Sequence, residues 1–139
     1  MTAIAKLTTT TKTLFTARTH TTSGRDGASR SSDGFLNVKL PQAHPAAENL
    51  FAAAWSACYL GAIELAAAQR KVALPADKAV DTEINLNRAG DSYFLQARLN
   101  VSLPGVDRAV AEEIAEAAHG ICPYSKAVHG NIEISTNVI

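Results

Sequence analysis

From Leu50 to Ile63 the chain runs fourteen residues with a single polar side chain, Ser56. The stretch lies in an alanine-rich segment that predicts one long helix from Glu48 to about Lys71, ending before Pro75. Its first half is apolar on every side, and a helix apolar all round has to be covered all round. At 139 residues the chain has room for one domain, taken here as 1–139, and for few other elements to do the covering. Part of the helix is therefore expected to lie against a second copy of the chain. A run of fourteen falls short of the ~20 residues that a bilayer-spanning helix needs, so a packed helix is expected and no membrane.

Charge narrows the function classes. Lys and Arg number 13, Asp and Glu 13, and the formal charge is zero. Binding that rests on a global positive field is a poor match, so neither nucleic acid nor an anionic membrane is an expected partner. With 47% apolar and 19% charged residues the chain is not a disordered one. Two cysteines are too few for a disulfide scaffold. Ten threonines in the first 22 residues leave no continuous apolar run of signal-peptide type. A cytoplasmic setting is expected, where cysteines stay thiols unless they have redox work.

The Thr-rich residues 4–20 suggest one or two strands, followed by a loop from Thr22 to Ser29. Leu36, Val38 and Leu40 alternate with Phe35, Asn37 and Lys39, as in a half-buried strand. Two longer alternating runs, Val80–Asn87 and Tyr93–Leu103, flank Ala89-Gly90-Asp91 and make the clearest hairpin. Asp107 is placed to cap a helix that Gly120 would end near Ala118. Asn131–Val138 closes the chain as a strand. The order of elements reads as α+β.

The chemistry centres on two cysteines 64 positions apart. Cys58 lies inside the apolar helix, where a free cysteine ordinarily packs as a small hydrophobe. Cys122 stands between the helix-ending Gly120 and Pro123. They are a candidate redox pair, although spacing alone does not bring them together. A working thiol needs a cation or a helix N-terminus to lower its pKa, and burial works in the opposite direction. Arg18, Arg25 and Arg30 are the candidate cations, Arg25 being flanked by Gly24 and Gly27 in a loop. Glu48 suits a helix start, and a carboxylate there also suits a bidentate grip on an arginine. Ten residues of straight helix separate Glu48 from Cys58 by ~15 Å of rise. Either an arginine spans that gap, or the helix bends or starts later. His119, Cys122 and His129 lack the spacing of a zinc site, Ser125 lacks the Gly-x-Ser-x-Gly frame of a hydrolase, and no Gly-rich nucleotide loop occurs.

Taken in order, Ser23-Gly24-Arg25-Asp26-Gly27, Ser32-Asp33-Gly34, Glu48-Asn49-Leu50-Phe51-Ala52-Ala53-Ala54-Trp55-Ser56-Ala57-Cys58, Cys122-Pro123-Tyr124-Ser125-Lys126-Ala127 and Gly130-Asn131-Ile132 resemble the organic hydroperoxide resistance proteins of the OsmC-like superfamily. The likeness spans about residue 10 to 139. Pro41-Gln42-Ala43-His44-Pro45-Ala46-Ala47 stands where the family usually has a longer Gly-rich loop ending Thr-Asn-Pro. His129 replaces a usual arginine and Val128 a common threonine.

The resemblance implies an OsmC-like fold, an intertwined homodimer with long buried helices packed against antiparallel sheets. It implies a thiol peroxidase for alkyl and fatty-acid hydroperoxides, with Cys58 as peroxidatic thiolate, Cys122 as resolving thiol, Arg25 as activating cation and Glu48 as the carboxylate orienting it. Recycling by a lipoyl-bearing protein or another dithiol is implied, with no metal, haem or flavin. Phe51, Trp55 and Tyr59 would line an apolar cleft that favours a greasy peroxide. The alternatives are an OsmC-type peroxidase of different peroxide preference and a non-catalytic thiol sensor or binding module.

Overall fold

The computed structural model describes residues 10–139, which fall into two compact units, one ending at Ala43 and one spanning His44–Ile139.

The first unit is an antiparallel three-stranded sheet in sequential order, β1 (Thr19–Thr21), β2 (Ala28–Ser31) and β3 (Asn37–Lys39). The loop between β1 and β2 is closed by backbone bonds: Gly27 N–H donates to Gly24 O, and Leu40 N–H to Gly27 O, both at 2.8 Å. A Cβ on Gly27 would stand 2.5 Å from Leu40 O, so only glycine lets the two segments approach this closely. The strands expected in residues 4–20 are reduced to the start of β1. Residues 4–9 lie outside the described residues, and residues 10–18 are exposed and form no strand. Threonine favours a pleated, half-buried surface, and without burial that preference does not make a strand. The alternation of Leu36, Val38 and Leu40 holds, since all three are half-buried while Phe35 points to solvent.

The second unit is built on α1 (Ala46–Gln69), followed by the hairpin β4 (Ala79–Ala89) and β5 (Ser92–Ser102), then α2 (Arg108–Ile121), α3 (Pro123–Val128) and β6 (Glu133–Val138). Trp55, Tyr59 and Ile63 of α1 meet Leu99 and Val101 of β5 and Ile114 of α2 in a core from which water is excluded. Ser56, the one polar residue of the apolar run, shares a 2.6 Å hydrogen bond with Thr82 of β4. The hairpin turns at Gly90, whose φ of 59° lies in the left-handed region. The Asp107 carboxylate accepts from Val110 N–H and caps α2 as expected.

Several expectations are corrected. Gly120 lies inside α2, which runs on to Ile121. The stop comes from Pro123, which forces the preceding Cys122 out of the helical region, to ψ 117°. The sheet is mixed, because β6 pairs parallel with β5 after the crossover through α2 and α3. At 24 residues α1 is long and apolar enough to cross a membrane by length and composition. Its Trp55–Tyr59–Ile63 face is instead occupied by the core of its own unit. On another face Ala53, Ala54, Ala57, Gly61 and Leu65 remain exposed, so the described residues do not cover the helix all round.

Candidate active site

The local sequence places each sulfur differently. Cys58 is carried mid-helix on α1, three residues after Trp55, and is half-buried. Cys122 occupies the break between α2 and α3 that Pro123 imposes, and it is wholly buried. The fold brings the two together: the Cys122 thiol donates to Cys58 Sγ at 3.2 Å. A disulfide bond is ~2.05 Å long, so closing one here requires the sulfurs to approach by little more than about 1 Å.

Burial is the main influence on the Cys58 thiol and pushes its pKa up, with the adjacent Cys122 acting in the same direction and the backbone N–H of Tyr124 opposing them. Burial therefore disfavours the thiolate form of Cys58. A positive charge beside the sulfur would oppose that shift.

Glu48 lies in the first turn of α1, which starts at Ala46, so a later helix start does not shorten its distance from Cys58. Its carboxylate is taken by His44, whose Nδ1 lies 2.6 and 2.8 Å from the two oxygens. The pairing was not anticipated, and His44 stands in the segment that departs from the family pattern. Beside Glu48 a groove of about 530 Å³ opens between the start of α1 and β4, lined among others by Asn49, Ala52 and Leu86. Arg25 belongs to the first unit, where it is exposed at the β1–β2 loop and borders a cavity of about 230 Å³ with Arg30 and Lys39.

Of the three rings expected to line a substrate cleft, Trp55 and Tyr59 are completely buried. Tyr59 donates its hydroxyl to Ala115 O at 2.6 Å and stacks on His119, with ring centres 4.5 Å apart. Only Phe51, stacked on Trp55 at 5.7 Å, reaches the surface. An all-round apolar helix has no pattern to say which of its rings face inward, and this one turns residues 55, 59, 62 and 63 to the core.

A set of hydrogen bonds that sequence reasoning did not foresee sits behind the sulfurs. Trp55 Nε1 donates to Ser125 Oγ at 3.0 Å. Ser125 Oγ also lies 2.8 Å from His119 Nδ1, and His119 Nε2 lies 2.8 Å from Thr136 Oγ1. The available signal was the position of Ser125 three residues after Cys122, matching Trp55 three before Cys58.

Comparison with known proteins identifies the family. Residues 40–137 match the family model described as OsmC-like protein. The organic hydroperoxide resistance protein of Xanthomonas axonopodis pv. citri is 35% identical over 133 residues, covering 89% of this chain and 94% of its own. OhrA of Bacillus subtilis is 34% identical over 135 residues, covering 90% of this chain and 96% of its own. The crystal structure of the organic hydroperoxide resistance protein OhrB of Bacillus subtilis superposes with a TM-score of 0.80 at 31% identity, over 91% of this chain and all of that one. An α+β chain with this element order, this paired-thiol geometry and these relatives belongs to the organic hydroperoxide resistance family of the OsmC-like superfamily.

Proposed function

We propose that this chain is a thiol peroxidase that reduces organic hydroperoxides to alcohols. The observation that carries the reading is the 3.2 Å contact between two free thiols contributed by elements 64 residues apart. The names of the relatives, as organic hydroperoxide resistance proteins, supply the substrate class.

Cys58, as thiolate, attacks the distal oxygen of the hydroperoxide. The O–O bond breaks, the alkoxide leaves and takes up a proton to become the alcohol, and Cys58 becomes a sulfenic acid. Cys122 then attacks the Cys58 sulfur, a disulfide forms and water departs. A dithiol, free or lipoyl-bound on a protein, reduces that disulfide and is itself oxidised to a disulfide. Because burial raises the Cys58 pKa, the first step needs a cation, and Arg25 is assigned that role. A guanidinium stabilises both the thiolate and the charge developing on the leaving oxygen. Glu48, already gripped by His44, is the carboxylate assigned to orient it. Phe51 and the neighbouring small residues of α1 present an apolar surface suited to an alkyl chain.

The working form is assigned as a homodimer in a reducing cytoplasm. Its support is the exposed Ala53–Ala57–Gly61–Leu65 face of α1, apolar surface that a second copy would cover.

The test is peptide mapping by mass spectrometry after reduction with a dithiol and addition of one equivalent of organic hydroperoxide. A species lighter by two hydrogens that links the Cys58 and Cys122 peptides is expected. Oxygen added at Cys58 alone, or an unchanged protein, contradicts the cycle.

A further inference from the structure

The sulfur contact and the Trp55–Ser125 hydrogen bond form two rungs of one ladder. Trp55 precedes Cys58 by three residues on α1, and Ser125 follows Cys122 by three at the start of α3. Residues three apart share a helix face. One short segment therefore lays Cys122 against Cys58 and Ser125 against Trp55.

The second rung is built to last. Ser125 is only 3% exposed, and an indole N–H is a donor only. Ser125 Oγ accepts from Trp55, which leaves its proton for His119 Nδ1. His119 Nε2–H then donates to Thr136 Oγ1. The scheme needs a neutral imidazole, which burial favours by holding His119 below the ordinary histidine range against the pull of Glu116. The chain of bonds ties α1, α3, α2 and β6 together within the second unit, and none of its members takes part in the redox steps.

We propose that Ser125 is a positioning residue for disulfide closure: its hydrogen bond to Trp55 sets the register of α3 on α1 that keeps Cys122 in reach of an oxidised Cys58. This rests on Cys58 and Cys122 being the peroxidatic and resolving thiols. A Cys58 sulfenic acid has two fates. In one, Cys122 attacks it, the S–O bond breaks, and hydroxide leaves with the Cys122 proton as water. In the other, a second hydroperoxide transfers one oxygen to the sulfur, giving a sulfinic acid and an alcohol. Ser125 governs the partition between them, because the second rung limits how far α3 drifts while the first is broken and remade.

The experiment exposes reduced full-length protein to graded excesses of cumene hydroperoxide and measures disulfide and sulfinic acid by mass spectrometry, with melting temperature and the rate of first thiol loss recorded alongside. Ser125→Ala is expected to lose the first thiol at the wild-type rate and to raise the sulfinic share about fivefold, the scale of one lost hydrogen bond. Trp55→Phe removes the same bond from the donor side and is expected to shift the share likewise, so it decides the matter if Ser125→Ala folds poorly. His119→Asn loosens the same region but leaves the Trp55–Ser125 bond, and is expected to melt earlier with a wild-type sulfinic share. A wild-type share in Ser125→Ala and Trp55→Phe overturns the proposal. So does a share that rises in all three variants in step with lost stability, since that is general loosening. A wild-type protein that forms no Cys58–Cys122 disulfide refutes the peroxidase reading itself, and this inference with it.

Discussion

The two units of the chain differ in how they are held together and in what chemistry they carry. The unit from His44 to Ile139 encloses Trp55, Tyr59, Ile63, Leu99, Val101 and Ile114 and places both thiols inside its own packing. Among the described residues, the unit ending at Ala43 buries only Gly27, Ala28 and Ser29, and leaves Phe15 and Phe35 more than nine-tenths exposed. The chemistry divides along the same line. The two thiols of the proposed sulfur exchange lie in the second unit, whereas the assigned activating charge, Arg25, belongs to the first. Activation and resolution should therefore be separable by mutation.

The largest expected effect falls on the second unit. Cys58→Ser should abolish hydroperoxide consumption in a coupled assay with a dithiol, while Cys122→Ser should still lose its Cys58 thiol to the first equivalent of peroxide. Unchanged consumption in Cys58→Ser would place the chain among non-catalytic sensors.

Next comes the charge carried by the first unit. Arg25→Ala should slow oxidation of Cys58 at neutral pH by about 100-fold. Once a sulfenic acid has formed, closure onto Cys122 should proceed at the wild-type rate in rapid-quench experiments. Arg25→Lys should recover part of the loss. Equal slowing of both steps would erase the division between the units.

Stability should divide as well. Ile114→Ala opens a cavity in a dry core and should cost the second unit about 2–5 kcal/mol in chemical denaturation. Phe35→Ser removes an exposed ring. It should leave folding of the chain within about 0.5 kcal/mol and act instead on self-association, read as a dimer that dissociates at higher protein concentration.

The smallest effect is on pH dependence. Burial holds the folded His119 below its ordinary value of 6.5. The unfolded chain then binds the proton more readily, so stability is complete above that value and declines as pH falls below it toward the folded pKa. His119→Asn should flatten that decline in melting curves recorded through mildly acid pH. An unchanged slope would show that His119 is not the titrating group.

What sequence alone made legible follows from which features are local. The β4–β5 hairpin was legible because alternation with period two and a glycine turn are encoded within a few residues. The direction of β6 was not, because alternation reads the same in parallel and antiparallel pairs. Gly120 looked like a helix end until the stronger constraint of Pro123 moved the break to Cys122. The two thiols were legible as motifs, but their meeting is a property of packing between elements 64 residues apart, which spacing in sequence does not encode. Trp55 and Tyr59 were misplaced for a related reason, since a helix apolar on all sides carries no mark of its inner face. The grip of His44 on Glu48 was hidden in a connector with no periodicity.

The ionisation of one sulfur tests the whole scheme most directly. In a Cys122→Ser background the thiolate absorbance of Cys58 can be titrated, and its alkylation by iodoacetamide followed, with Arg25 present and with Arg25→Ala. The expected result is a Cys58 that is ionised and rapidly alkylated at neutral pH, and that reverts to an unreactive thiol when Arg25 is lost. A Cys58 that stays protonated and inert at neutral pH in the native reduced protein would contradict it.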